Sequence, residues 1–344
     1  MKSRVFADII CMVSESSVVK VSSTLQSMGQ EDRLTIMSDK FKGNAALLFT
    51  AIVWGTGFIA QKLGNEVMPP MTFNAIRQIM AAIVLFPIMA MGVKRSGYLS
   101  HEKNSYDQIV YRKSKLKKAF VLCGTFLMIG TMTQQIGLLT VSAGKSGFIS
   151  AMYIVFTPVL SIVVGGRVNR KTFACVAIAM AGFALLSLRG GLGNTTPGDW
   201  WTLVSAVGFA AQIVAVNTFV DRDNDLIISV LQMAFAGIVG LIIAIVLERP
   251  DLSQITEGIP ILLYSTFVPT AIGYTFQIVG QKFTDSTTAA LLMSLESVFA
   301  VIFGAIFLKE FMSTMELLGC LVIFIAVVVD QIEMPWEKRH SKDN

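Results

Sequence analysis

The chain has 344 residues, of which 53% are apolar and only 15% charged, and its mean hydropathy is +0.65. A water-soluble chain carries about 25% charged residues, so a large soluble globule is excluded, and the apolar content likewise excludes disorder and a disulfide-dense secreted scaffold. The net charge of +5 comes from Lys and Arg placed between apolar runs, where they orient a membrane protein and do not build a nucleic-acid-binding face.

Residues 1–42 read as a disordered cytoplasmic tail. The first 36 are Ser-rich and mixed in charge, and their longest apolar run, Ile9–Val13, is too short for a signal-peptide core. A chain start at Met37 is a second reading of the same residues.

A helix needs about 20 apolar residues to cross about 30 Å of hydrocarbon. Ten stretches qualify in chain order: Gly43–Gly64, Pro69–Val93, Ala119–Ser142, Ser146–Gly166, Thr172–Leu188, Trp200–Val220, Leu226–Leu247, Gly258–Gln281, Ser286–Leu308 and Ser313–Val329. Their only charges are Lys62, Arg77, Glu296 and Glu316. Membrane β-strands alternate over about ten residues and never run this apolar. The segment 94–118, with eight Lys or Arg, reads as a solvated linker.

If the first span starts inside, eighteen Lys and Arg fall in inside loops and tails against five outside (Lys62, Lys145, Arg189, Arg249 and Lys309). Both termini are therefore expected in the cytoplasm. Trp200, Trp201 and Trp336 stand at span ends as interfacial anchors.

The chain also repeats itself. Gly57-Phe58-Ile59-Ala60-Gln61 returns as Gly208-Phe209-Ala210-Ala211-Gln212, Gln78 and Ala82 return as Gln232 and Ala236, and Gln135 returns as Gln277. Repeats of five spans each enter the membrane from opposite sides. The expected fold class is thus an all-α integral membrane protein with ten transmembrane helices as two inverted five-helix repeats. Residues 43–188 form the first repeat, 189–199 a linker, 200–330 the second and 331–344 a cytoplasmic tail. Inverted repeats recur in secondary transporters because two equivalent halves can open one site to each side in turn.

Several motifs carry a family resemblance: Ala51-Ile52-Val53-Trp54-Gly55-x-x-Phe58, Arg77, Ser294-Leu295-Glu296-Ser297-Val298-Phe299-Ala300 with Gly304 and Leu308-Lys309-Glu310, and Leu317-Leu318-Gly319. With ten spans in two copies, the chain resembles the EamA branch of the drug/metabolite transporter superfamily over roughly residues 43–330. The resemblance implies a small-molecule permease, working without a cofactor, that exports or exchanges amino acids, other metabolites or drugs, or imports sugars. Where the family has Pro after the ninth-span Glu, this chain has Ser297, which predicts a less kinked helix.

Charges in hydrocarbon are rare and need a protein or water environment. Glu296, near the middle of its span, is a candidate proton or cation site or an anchor for a substrate amine. Arg77 is a candidate carboxylate anchor, a partner of Glu296, or a snorkelling cation. The span amides Gln61, Asn74, Gln134, Gln135, Gln212, Asn217, Gln232 and Gln277 can pair with both ends of a zwitterion, or simply bond helix to helix, and the repeat-related pairs Gln61/Gln212 and Gln135/Gln277 stand out. Trp54, Tyr153 and Tyr274 are candidate cavity walls. The only histidines, His101 and His340, lie outside the spans, and no GxxxxGK[ST] occurs. Metal and ATP chemistry within the membrane are therefore not expected.

The function expected is a secondary active permease of the plasma or inner membrane, exporting small metabolites such as amino acids or drugs by alternating access. Its partners are a small-molecule substrate, the lipid bilayer and protons, without nucleic acid; monomer and homodimer are both compatible. Sugar or other metabolite uptake, and a non-transporting scaffold, are the alternatives.

Overall fold

The computed structural model describes residues 30–100, 103–165, 195–221 and 223–331, with isolated positions between 171 and 185. All regular secondary structure among the described residues is helical, with no strand among them. In chain order the helices are α1 (Gln30–Val67), α2 (Pro70–Ser96), α3 (Tyr106–Gly137), α4 (Ala143–Ser150), α5 (Tyr153–Ser161), α6 (Pro197–Phe219) and α7 (Asp225–Leu247). There follow α8 (Leu252–Glu257), α9 (Ile259–Ser265), α10 (Gly273–Gln281), α11 (Ser286–Ser294), α12 (Glu296–Phe303) and α13 (Thr314–Gln331). The pairs α4/α5, α9/α10 and α11/α12 are halves of single spans, so among the described residues eight helices are long and apolar enough to cross a membrane. They correspond to the expected spans one to four and six to nine. The tenth appears as α13, whose apolar stretch Leu317–Ala326 is shorter, and the fifth, Thr172–Leu188, lies largely outside the described residues, as do residues 1–29, Trp336 and the rest of 332–344.

Two expectations about the ends of helices need correction. Residues 30–42, read as disordered tail, are helical: α1 starts thirteen residues before the apolar run, in a stretch with no Gly or Pro to stop it. The basic linker 94–118 shrinks to residues 97–105, because α2 runs on to Ser96 and α3 starts at Tyr106. Ser105 and Gln108 form a reciprocal capping box, with Ser105 N donating to Gln108 Oε1 at 3.1 Å and Gln108 N donating to Ser105 Oγ at 3.3 Å.

Small residues decide how closely the helices pack. A Cβ on Gly208 of α6 would stand 2.7 Å from the Gly130 backbone nitrogen of α3, so these two helices meet backbone to backbone. On α7, a Cβ at Gly237 would stand 2.7 Å from Ile79 N of α2. The α2–α7 pair is tied at its end by Glu248, which accepts from Met71 N (2.8 Å), Thr72 N (2.7 Å) and Thr72 Oγ1 (2.7 Å). That carboxylate satisfies donors which the first turn of α2 leaves without an intrahelical partner.

Breaks in three spans shape the interior. Pro269 lacks the N–H that a helix would direct to Ser265 O, and the backbone widens into a π segment over Thr266–Ile272. The fourth span breaks between Ser150 and Tyr153 and the ninth between Ser294 and Glu296, each about halfway along. Ser297 was expected to leave the ninth span less kinked than a proline would. The helix is interrupted nonetheless: Ser294 Oγ donates to Leu291 O and Ser297 Oγ to Ser294 O, both at 2.7 Å. Hydroxyls bonded to preceding carbonyls bend helices.

Candidate central cavity

The broken spans meet around a cavity lined by Trp54, Gly57, Phe58 and Gln61 of α1, Arg77 of α2, Gln134 of α3, Tyr153 of α5 and Phe209, Gln212 and Ile213 of α6. Pro269, Tyr274 and Gln277 of the eighth span and Glu296 of α12 complete the wall. Its volume is ≈ 30 Å³, room for about two water molecules at roughly 10–15 Å³ each. A larger solute therefore requires the wall to open.

Arg77 is almost wholly buried, at 2% exposure, which removes the snorkelling alternative. Nη1 donates to Thr270 Oγ1 at 3.2 Å; Nη2 donates to Asn74 Oδ1 at 2.9 Å and, at the longer 3.4 Å, to Gln61 Oε1. Two of these acceptors are themselves fixed. Thr270 Oγ1 donates its proton to Ser265 O at 2.7 Å, the carbonyl that Pro269 leaves free, so its oxygen faces Arg77 as an acceptor. Asn74 Nδ2 donates to Thr131 Oγ1 at 3.1 Å, which turns Asn74 Oδ1 towards the guanidinium.

Glu296 is 4% exposed and starts the second half of the ninth span. It forms no ion pair with any described cation, Arg77 included, so a structural Arg77–Glu296 bridge is absent among the described residues. The Tyr153 hydroxyl neighbours its carboxyl without reaching hydrogen-bond geometry. Tyr274 lies within electrostatic reach of both Arg77 and Glu296. Its ring packs on Trp54 with centroids 4.9 Å apart, and Trp54 Nε1 donates to Pro269 O at 3.0 Å, which fixes this aromatic wall.

The amides divide into two sets. Gln277 Nε2 donates to Gln212 Oε1 (3.0 Å) and Gln212 Nε2 to Gln232 Oε1 (2.9 Å), a chain that runs from the cavity into α7. Gln61 also lines the cavity. Gln135, by contrast, turns away: Nε2 donates to Gln61 O (2.9 Å) and Asn65 Oδ1 (2.7 Å), and Asn65 Nδ2 returns a bond to Gln135 O (3.0 Å). It joins α3 to α1 and does not line the cavity. Eight of the nine residues singled out from the sequence thus share one cavity. The lining also takes in Gln134, one of the span amides outside the repeat-related pairs, which donates to Ser150 Oγ at the break of the fourth span (2.9 Å). It sits beside Gln135, and only the rotation of α3 tells the two apart.

Polar ties close both ends of the bundle. At one end Lys62 donates to Leu138 O (3.1 Å) and Val141 O (2.8 Å) and lies 3.8 Å from Glu310, which in turn accepts from Ala143 N at 2.7 Å. Lys145 pairs with the buried Asp199 at 2.8 Å. At the other end Lys282 pairs with Asp225 at 2.6 Å, and Gln281 donates to Asn217 Oδ1 at 2.5 Å.

The family model for EamA-like transporters matches the chain twice, over residues 41–188 and 196–329. An uncharacterized transporter of Archaeoglobus fulgidus is 27% identical over 312 residues, covering 90% of this chain and 91% of its own. A WAT1-related chloroplastic protein of Arabidopsis thaliana is 26% identical, over 80% of this chain and 66% of its own length. An uncharacterized transporter of Clostridium kluyveri is 22% identical, over 84% and 93%. In fold, a crystal structure superposes with a TM-score of 0.58 at 17% identity, covering 86% of this chain and 97% of that one. Two matched copies of one model, apolar helices long enough to span and a shared fold converge: the chain is a multi-pass membrane protein that belongs to the EamA-like transporter family.

Proposed function

We propose that the protein is a secondary active transporter of the plasma or inner membrane that exports a small metabolite by alternating access. In this reading ten spans form two inverted five-helix repeats, and both termini lie in the cytoplasm. The two ends of the bundle then open in turn. The Lys62–Glu310 and Lys145–Asp199 ties form the outer closure, and the Lys282–Asp225 and Gln281–Asn217 ties the inner one.

One observation carries the reading: a polar cavity at the helix breaks holds two buried groups of opposite formal charge, Arg77 and Glu296, neither paired within the described protein. Unmatched charge in hydrocarbon is costly and marks ion or substrate pathways. Glu296 is the coupling group, taking a proton from one side and releasing it to the other as access alternates. Broken spans suit this role, because a repositioned half-helix carries its side chains with it.

Counterflow of a whole metabolite extract through proteoliposomes tests the proposal. The wild type is expected to exchange specific members, with flux that follows an imposed pH gradient, whereas Glu296→Gln loses the gradient dependence. A variant with unchanged flux and unchanged gradient response contradicts the coupling role. Gradient-insensitive uptake of sugars by the wild type would point instead to a site built on amides and aromatics alone.

A further inference from the structure

Arg77 is the largest fully buried side chain among the described residues. Its guanidinium has five N–H donors, and the three acceptors it meets, on Thr270, Asn74 and Gln61, are all neutral. Nε has no acceptor at all. A buried guanidinium that only braces helices is ordinarily cancelled by a carboxylate, since the desolvation cost of the bare charge is large. Here the one carboxylate of the cavity lies beyond ion-pair distance. Neutral groups, two of them locked from behind by Thr131 and by Ser265 O, therefore aim the guanidinium while leaving its charge unanswered. That is the arrangement of a site organised before its ligand arrives.

We infer that Arg77 is an anion subsite and that the transported solute bears a carboxylate, seated on the guanidinium with its apolar body against Trp54 and Tyr274. The inference rests on the transport reading and narrows it. The charge balance selects the ligand: Arg77 is the only cation among the described lining residues, and Glu296 is an acid, so one monoanionic group is matched where a phosphate dianion is not. A planar carboxylate also fits the fork of a guanidinium.

The test uses the full-length protein in proteoliposomes, with acetate, benzoate, leucine and phenylalanine each offered beside its primary amide. The wild type should exchange at least one carboxylate about ten- to a hundredfold faster than its amide, the loss expected for one charged hydrogen-bonded contact. Arg77→Gln should erase that preference, and Arg77→Lys should restore part of it. The thermal midpoint of Arg77→Gln should be no lower than that of the wild type, because removing an unpaired buried charge offsets the three lost hydrogen bonds to neutral acceptors. The assignment is overturned if Arg77→Gln keeps the preference, if it melts earlier with the preference intact, or if the wild type moves amides as readily as acids. It is also overturned if the wild type exchanges members of a metabolite extract but none of these carboxylates. A wild type that exchanges nothing from the extract sinks the transport reading itself.

Discussion

Neighbouring glutamines in the middle of one helix have different jobs here. Gln134 reaches the cavity and Ser150, whereas Gln135 bonds across to α1 through Gln61 O and Asn65. Substitution should separate them from Gln277, the repeat counterpart of Gln135. Gln135→Ala leaves Asn65 and Gln61 O without their partner and should destabilise by about 0.6 kcal/mol per lost contact in a membrane setting, with solute affinity unchanged. Gln277→Ala, which loses the one bond to Gln212 Oε1, should instead weaken solute binding with a smaller fall in the thermal midpoint. Binding isotherms and melts on both variants check the pair, and equal loss of affinity in the two would contradict it. At this scale the sequence was informative about residue type: polar groups stranded in apolar spans need a reason, and eight of nine found a common cavity. Gln135 could not be sorted in advance because its repeat partner faces the cavity while it does not. A repeat in the sequence does not fix side-chain direction.

Elements were legible where a single physical rule governs them. Apolar length located seven of the eight spans to within a few residues, whereas α3 starts thirteen residues before its apolar run. The early start of α3 follows from the Ser105–Gln108 capping box, in a segment read from its basic charge alone as a solvated linker. The break in the ninth span was harder to foresee, because two serine back-bonds do what a proline usually does. Pro269 shows how a break serves the site. It frees Ser265 O, which takes the Thr270 proton and so turns the Thr270 oxygen towards Arg77. Pro269→Ala should restore the helical bond and leave stability equal or higher. Thr270 then loses its reason to hold Arg77, so solute affinity should fall several-fold. An unchanged affinity, measured by the same exchange assay, would separate the proline from the site.

Across the whole molecule, both closures must break in turn if the cavity is to reach either side. Asp199 is fully buried and takes Lys145 as its cation. Lys145→Met should leave that carboxylate unpaired and lower stability by about 3 kcal/mol or more, whereas the double variant Lys145→Met/Asp199→Asn should recover most of the loss. Differential scanning fluorimetry on the four proteins reads the coupling directly; additive losses would deny it. The opposite end carries a further tie, between loops. The Tyr98 hydroxyl donates to Asp221 at 2.9 Å, and burial first, then that bond, pushes its pKa up to about 12. With an ordinary tyrosine value near 10, the stabilisation from holding this proton is complete below pH 10 and is lost as pH rises through 12. Tyr98→Phe should therefore loosen this loop across the physiological range with no pH dependence of its own. Hydrogen exchange of residues 97–104, faster in the variant than in the wild type, would report it.

The most direct measurement labels a single cysteine at Gln212, placed in a background where Cys11, Cys123, Cys175 and Cys320 are serine, with a membrane-impermeant maleimide applied to each face in turn. Alternating access to a central wet site predicts reaction from both faces, slowed by a transported solute. Reaction from neither face, or from one face only under every condition, would contradict it.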